Sequence, residues 1–264
     1  MLDGLYQLKC LEGLALLEPE SVDLLFADLP YGVTQNKWDE IIPMEDFWEQ
    51  VKRVCKPTTP IVLTAIQPFT SQLVLSNLDW FRYEMIWEKN KASGFLNSKR
   101  QPLRIHENIL VFYQKQPHYV PQKTEGHPPK HGCIRHTPSG SNYGKTRVTS
   151  DKGGQTSRYP TSILKIPVVN GTDPQRIHPT QKPVQLPEWF IKTYTLPGQL
   201  VVDPVAGSGS TLMAAKALGR RCIGFEPESL FFDKAPQEIK LLDAPAAIHG
   251  QRGIHKATHP FQVL

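Results

Sequence analysis

The chain has 264 residues, of which 39% are apolar and 21% charged, with a formal net charge of +5. This composition suits a globular chain burying one sizeable α/β core and excludes disordered and fibrous classes, while no apolar run reaches the ~20 residues that cross a bilayer. No secretory leader follows Met1, and Cys10, Cys55, Cys133 and Cys222 form no CxxC pair, so reduced thiols in the cytoplasm are expected.

Residues 11–18 can form a helix, ended by Pro19-Glu20-Ser21. The apolar run 22–27 has strand length and stops at Asp28-Leu29-Pro30-Tyr31. Residues 45–56 predict a helix with Phe47, Trp48, Val51 and Val54 on one side and Pro57 as its stop. A second buried strand is expected over 61–66, a helix over 70–78, and strands over 83–87 and 108–113. From Gln114 to Tyr159 the apolar periodicity disappears, and eight lysines and arginines face only Glu125 and Asp151. A strand over 162–166, a helix over 186–194 and a strand over 200–202 then restore the pattern. A helix over 211–218, closed by Gly219, and a strand over 222–225 complete it. The alternation predicts an α/β, Rossmann-like fold with a mostly parallel central sheet. Residues 1–113 and 160–240 would form one domain, 114–159 a basic, loop-rich insert, and 241–264 an irregular tail.

Two segments carry chemistry. Asp203-Pro204-Val205-Ala206-Gly207-Ser208-Gly209 places a glycine turn between a strand and a helix, where a cofactor can approach backbone amides. Glu226 ends the next strand, about twenty residues on, where a carboxylate can accept bonds from both ribose hydroxyls. The third glycine of the dinucleotide fingerprint is absent, since Leu212 stands in its place. That points away from NAD and toward S-adenosylmethionine. At the other end, Asp28 and the Leu29 carbonyl can each accept one hydrogen of an exocyclic amino group and push its nitrogen toward tetrahedral geometry. Pro30 aims that carbonyl, and Tyr31 offers a face on which a flipped base stacks. Read alone, the tetrapeptide is by default an ordinary turn after a strand.

Together these segments resemble the amino-methylating DNA methyltransferases, in particular the permuted β group of N6-adenine enzymes, with the look of those carried by phages and prophages. Further carriers are Asn36-Lys37-Trp38-Asp39, His106 through Phe112, His178-Pro179-Thr180-Gln181-Lys182-Pro183, Asp203 through Thr211, and Leu218 through Glu226. The amino-group motif precedes the glycine motif, which is the permuted order.

The resemblance implies catalysis by Asp28, Leu29, Pro30 and Tyr31, with S-adenosylmethionine as methyl donor. Gln181 and Lys182 would hold its methionine carboxylate. Asp203, Val205, Gly207, Gly209 and Ser210 would line its methionine end, Glu226 its ribose, and Cys10 would sit in the segment that holds its adenine. The basic stretch 114–159, with Lys89, Lys91, Lys99, Arg100 and Arg104 ahead of it, would contact DNA carrying a flipped adenine. A restriction-modification context, a nucleoid-associated protein of a bacterial or phage-infected cell, and a homodimeric arrangement belong to the same expectation; a membrane does not. The chain departs from the family at Leu8-Lys9, where Gly-Asp is usual, at Val205 in place of phenylalanine, and at Leu29 in place of the first proline. Pro236 also interrupts the helix usual after Glu226. Rival expectations are N4-cytosine methylation, a catalytically weakened nucleic-acid-binding protein on the same fold, or the same chemistry on RNA or a protein glutamine. His127, His131, Cys133 and His136 match no standard zinc spacing, so no metal is expected.

Overall fold

The computed structural model describes residues 1–32, 41–135, 149–173, 176–178 and 180–240. Asn36 to Asp39, His136, Pro179 and the tail 241–264 therefore lie outside the described residues. The first half of the chain supplies strands β1 (Gly4–Tyr6), β2 (Leu24–Ala27), β3 (Ile61–Ala65), β4 (Phe81–Ser93) and β5 (Arg104–Phe112). Helices α1 (Cys10–Ala15), α2 (Met44–Val54) and α3 (Phe69–Ser76) lie between them. The strands that follow are β6 (Cys133–Arg135), β7 (Thr149–Asp151), β8 (Ile163–Lys165), β9 (Leu200–Asp203) and β10 (Arg221–Phe225). The later helices are α4 (Gln185–Tyr194), α5 (Ser210–Ala217) and α6 (Ser229–Lys234).

Eight strands form one sheet in the order β1-β10-β9-β2-β3-β5-β4-β8. Its pairs are parallel except at β5, which runs antiparallel to both β3 and β4. β6 and β7 form a separate two-stranded ribbon inside the basic insert.

Side chains alternate across each strand, so neighbouring apolar residues enter opposite cores. Leu24 and Phe26 join α4 and α5, with Phe190 and Leu212 fully buried on that face. Leu25 and Ala27 join α1, α2 and α3, with Leu14, Val51 and Leu73 fully buried on the other. A strand covered on both faces must be apolar throughout, which is why 24–27 and 61–65 read as unbroken runs. Truncating such a residue, Leu25→Ala for instance, costs about 2–5 kcal/mol. α2 forms because Phe47, Trp48, Val51 and Val54 recur on one face, and all four are buried. Gly13 of α1 is dictated by close approach, since a Cβ there would meet the Phe225 ring at 2.3 Å.

Differences from the expected elements are local. β1 was not foreseen, being three residues long at the edge of the sheet. β4 and β5 extend well beyond the expected strands, because their outer halves stand clear of β3 in solvent and carry polar residues. Among the described residues no helix is long and apolar enough to cross a membrane. Cys10, Cys55, Cys133 and Cys222 are all free thiols.

Candidate active site

In a parallel sheet, loops at the carboxyl ends of adjacent strands share one edge, where α/β proteins bind ligands. β2 lies beside β9, with Leu24 opposite Val201 and Leu25 opposite Val202. That register brings the residue after β2, Asp28, beside the glycine turn after β9. β1 and β10 flank them, and the Glu226 amide closes on the Tyr6 carbonyl at 3.0 Å. The segments expected to carry chemistry thus meet at one sheet edge, although they are far apart in sequence.

Asp28 is the hub. Its Oδ1 accepts hydrogen bonds from the hydroxyls of Tyr31 and Thr64. Its Oδ2 meets the Lys182 ammonium at 2.6 Å. Lys182 also lies 3.2 Å from Glu107 Oε2, and Lys89 donates to Glu107 Oε1 at 3.0 Å. The Lys182 contact is an ion pair without hydrogen-bond alignment, for Oε2 is a buried oxygen lacking an aligned donor among the described residues. Trp87 faces both ammonium groups, at 5.7 Å from Lys89 and 5.8 Å from Lys182.

Burial and neighbouring charges shift Lys182, Glu107 and Tyr31. Burial pushes Lys182 down, but the charges of Asp28 and Glu107 outweigh it and hold the ammonium above its ordinary value. Glu107 is pushed up by burial, then brought below its ordinary value by Lys182 and Lys89. Burial and the Asp28 charge hold the Tyr31 phenol far above its ordinary value, so it is a hydroxyl donor to that carboxylate.

The glycine end is a second buried cluster. Asp203 accepts from the Thr211 hydroxyl at 2.6 Å and from the Val205 amide at 3.1 Å. Burial nevertheless raises it to about 7, with Asp28 and Glu226 adding to the shift. Glu226 accepts from the Glu228 amide at 2.8 Å and is also raised by burial, an effect the Gly207 amide opposes. Gly207 has φ +52° with nothing within 4 Å of where a Cβ would project, so the turn opens onto free space. Gly209 (φ +79°) starts α5, and Ser210 is buried behind it. Ile239 covers Gly209, 2.1 Å from where its Cβ would be. The Cys10 thiol is buried and pushed up to about 12 by that burial, with Asp203's charge adding to it.

Not every expected residue lies where the pattern put it. Lys182 pairs with Asp28, and Gln181 accepts the Ile177 amide at 2.9 Å within its own loop. Lys89 is buried on Glu107 with only 9% of it exposed, which corrects its assignment to a DNA-facing surface. One face of the half-buried Tyr31 ring is taken by Phe69, at 5.4 Å between centroids. Leu29 is buried in the core. Val205 is partly buried against the same core, and Lys9 opens α1 with its amide on Glu12 at 3.3 Å. Thr64 went unnoticed, although a hydroxyl at the end of the apolar run 61–65 was a usable signal. Glu107 was visible only as part of a motif. A cavity of about 420 Å³ beside Tyr83, Tyr113, Trp189 and Tyr194 lies at the opposite sheet edge and shares no residue with this cluster.

Asp28, a glycine turn and Glu226 at one edge form the frame of a methyl-transfer site, and residues 22–237 match the DNA methylase profile of the N6/N4 family. The chain belongs to that family. The family uses S-adenosylmethionine, and the open space at Gly207 beside the Glu226 carboxylate fits that molecule. Among curated relatives, the Type II methyltransferase M.HinfI of Haemophilus influenzae is 28% identical over 267 residues, spanning 88% of this chain. The chain spans 66% of that relative's length. Solved structures that share the fold include two methyltransferases. The M1.HpyAVI complex with S-adenosylmethionine has a TM-score of 0.59 and 21% identity over 91% of this chain and 100% of that one. The PvuII DNA methyltransferase (cytosine-N4-specific) has a TM-score of 0.63 and 16% identity over 89% and 86%.

Proposed function

We propose that the chain methylates the N6 amino group of adenine in DNA, with the base flipped into the Asp28 pocket. The observation that carries this reading is the Asp28 carboxylate, held by Tyr31 and Thr64 beside the glycine turn. In enzymes the chain resembles, aspartate at the head of this motif accompanies adenine and serine accompanies cytosine.

Bound at the turn, S-adenosylmethionine supplies an electrophilic methyl group on a sulfonium. Asp28 and the Leu29 carbonyl accept the two amino hydrogens, which turns the nitrogen lone pair toward that methyl carbon. The Asp28 carboxylate would stabilise the positive charge that develops on nitrogen as it takes the methyl group from sulfur, and one proton would then be released to water. Asp28 Oδ1 already has two donors, so the incoming amino group bonds Oδ2, beside or in place of the Lys182 ammonium. Glu107, 3.2 Å from the same ammonium, is the carboxylate that takes Lys182 over when it is displaced. In this reading Lys182, once freed from Asp28, would with Gln181 also meet the cofactor's carboxylate. Cys10, Asp203, Val205, Gly207, Gly209, Ser210 and Glu226 complete the cofactor side of this reading.

N4-cytosine methylation is the second reading, favoured by the likeness to the PvuII enzyme, TM-score 0.63. Incubating the protein with unmodified genomic DNA and labelled S-adenosylmethionine, then digesting to nucleosides, separates the two. Label in N6-methyldeoxyadenosine is expected. Label in N4-methyldeoxycytidine would replace the first reading with the second.

A further inference from the structure

β4 and β5 run on past the last residues of β3 and β8, with a register shift between Glu88 and Ser93. β3 ends its pairing at Ala65 opposite Asn108, whereas β4 and β5 continue through Glu88–His106 to Ser93–Arg104. The extension leaves on the edge that carries Asp28, because Glu107 at its base holds Lys182 against Asp28. At ~3.3 Å per residue, the tip stands roughly 10–20 Å beyond Glu107.

The tip has an unusual surface. Gly94, at φ +85°, turns the chain into a short 3₁₀ turn, Phe95–Asn97. Phe95 is 78% exposed and Leu96 is 101% exposed. Lys91, Lys99, Arg100 and Arg104 flank them in sequence, and residues 89–106 contain no aspartate or glutamate. A large exposed apolar pair whose only charged neighbours in sequence are basic is poorly suited to water. It suits a partner that offers flat apolar faces inside a polyanion, which describes a base stack between phosphate backbones.

We propose that the β4–β5 hairpin is a DNA wedge: Phe95 and Leu96 enter the stack where the target base has left, and Lys99, Arg100 and Arg104 hold the flanking phosphates. The inference rests on the reading that the chain methylates a flipped base. The side chains stand in for the missing stacking partner, so they favour the flipped state and contribute nothing once flipping costs little.

The test uses the full chain and a duplex around a site that the wild-type protein methylates. A second duplex has an abasic site opposite the target, so the target has no pairing partner. Both side chains are solvent-exposed, so F95A/L96A should keep the parental melting temperature. It is expected to lose at least tenfold in kcat/KM on the paired duplex and less than threefold on the unpaired one. R100A, a phosphate contact, should lose the same factor on both. A loss by F95A/L96A that is equal on the two duplexes, or under threefold on the paired one, overturns the wedge. So does a change in sedimentation with the duplex ratio unmoved, which would make the tip a self-association surface. If no site that the wild-type protein methylates is found in genomic DNA, the underlying reading fails and the wedge with it.

Discussion

Asp28→Asn isolates the charge on which the chemistry depends. Asparagine keeps the shape of the side chain and an oxygen for the Tyr31 and Thr64 hydroxyls. It removes the carboxylate that meets Lys182 at 2.6 Å. Breaking a buried ion pair from one side costs about 3–5 kcal/mol when the remaining charge is stranded. Lys182 is not stranded, since Glu107 lies 3.2 Å away and Asp28 is 26% exposed at its side chain. The stability cost is therefore about 1–2 kcal/mol, a fall in melting temperature of roughly 2–8 °C for a chain of this size. Methyl transfer should suffer far more. Removing one preorganised electrostatic group from a reacting centre costs about 10²–10³-fold in rate, roughly 2.7–4 kcal/mol. Single-turnover transfer of labelled methyl to DNA, with calorimetry for cofactor affinity, separates the two effects. Transfer within threefold of the parent, or a loss explained wholly by weaker cofactor binding, would refute the role given to Asp28.

Three more outcomes follow from the geometry. Glu107→Gln removes the carboxylate that receives Lys182, so kcat should fall about tenfold or more, ~1.4 kcal/mol, with cofactor affinity nearly unchanged; steady-state kinetics at saturating cofactor checks this. Gly207→Ala and Gly209→Ala both force a side chain into the left-handed region, costing about 1–2 kcal/mol each in chemical denaturation, and Gly209→Ala must also push the Ile239 side chain aside. Only Gly207→Ala also projects a methyl into open space, so it should weaken S-adenosylmethionine binding at least tenfold by calorimetry, about 1.4 kcal/mol. Asp203 keeps its proton in the fold up to about pH 7, against an ordinary value of 3.8. The folded state therefore binds more protons than the unfolded chain between these values, and stability falls as pH rises from about 4 to 7. Relative to Asp203→Asn, the wild-type protein should lose about 4 kcal/mol across that window in urea titrations, with no further change above it.

The buried half of the fold was legible because strands covered on two faces leave no room for polar residues. Runs such as 24–27 and 61–65 therefore declare themselves. The outer half of the β4–β5 hairpin was not, because strands standing clear of the sheet face water on both sides and lose their alternation. β1 was too short to show a period at all. Asp28, the glycine turn and Glu226 were readable from local motifs, since each motif fixes its own backbone geometry. The partners of Asp28 were not. Thr64, Glu107, Lys89 and Lys182 come from separate parts of the chain and meet only because β3, β5 and β4 are neighbours. Lys89 shows the cost of judging charge by sequence alone: it sits in a basic stretch, yet it is buried on a carboxylate.

A crystal structure of the chain soaked with S-adenosylmethionine would test most directly whether the two ends of the sequence build one reaction chamber. The expected result is a sulfonium methyl turned toward Asp28, leaving room for one amino nitrogen to sit about 3–3.5 Å from the methyl carbon while hydrogen-bonded to that carboxylate. A cofactor bound at Gly207 with its methyl directed away from Asp28, or walled off from it, would contradict the account.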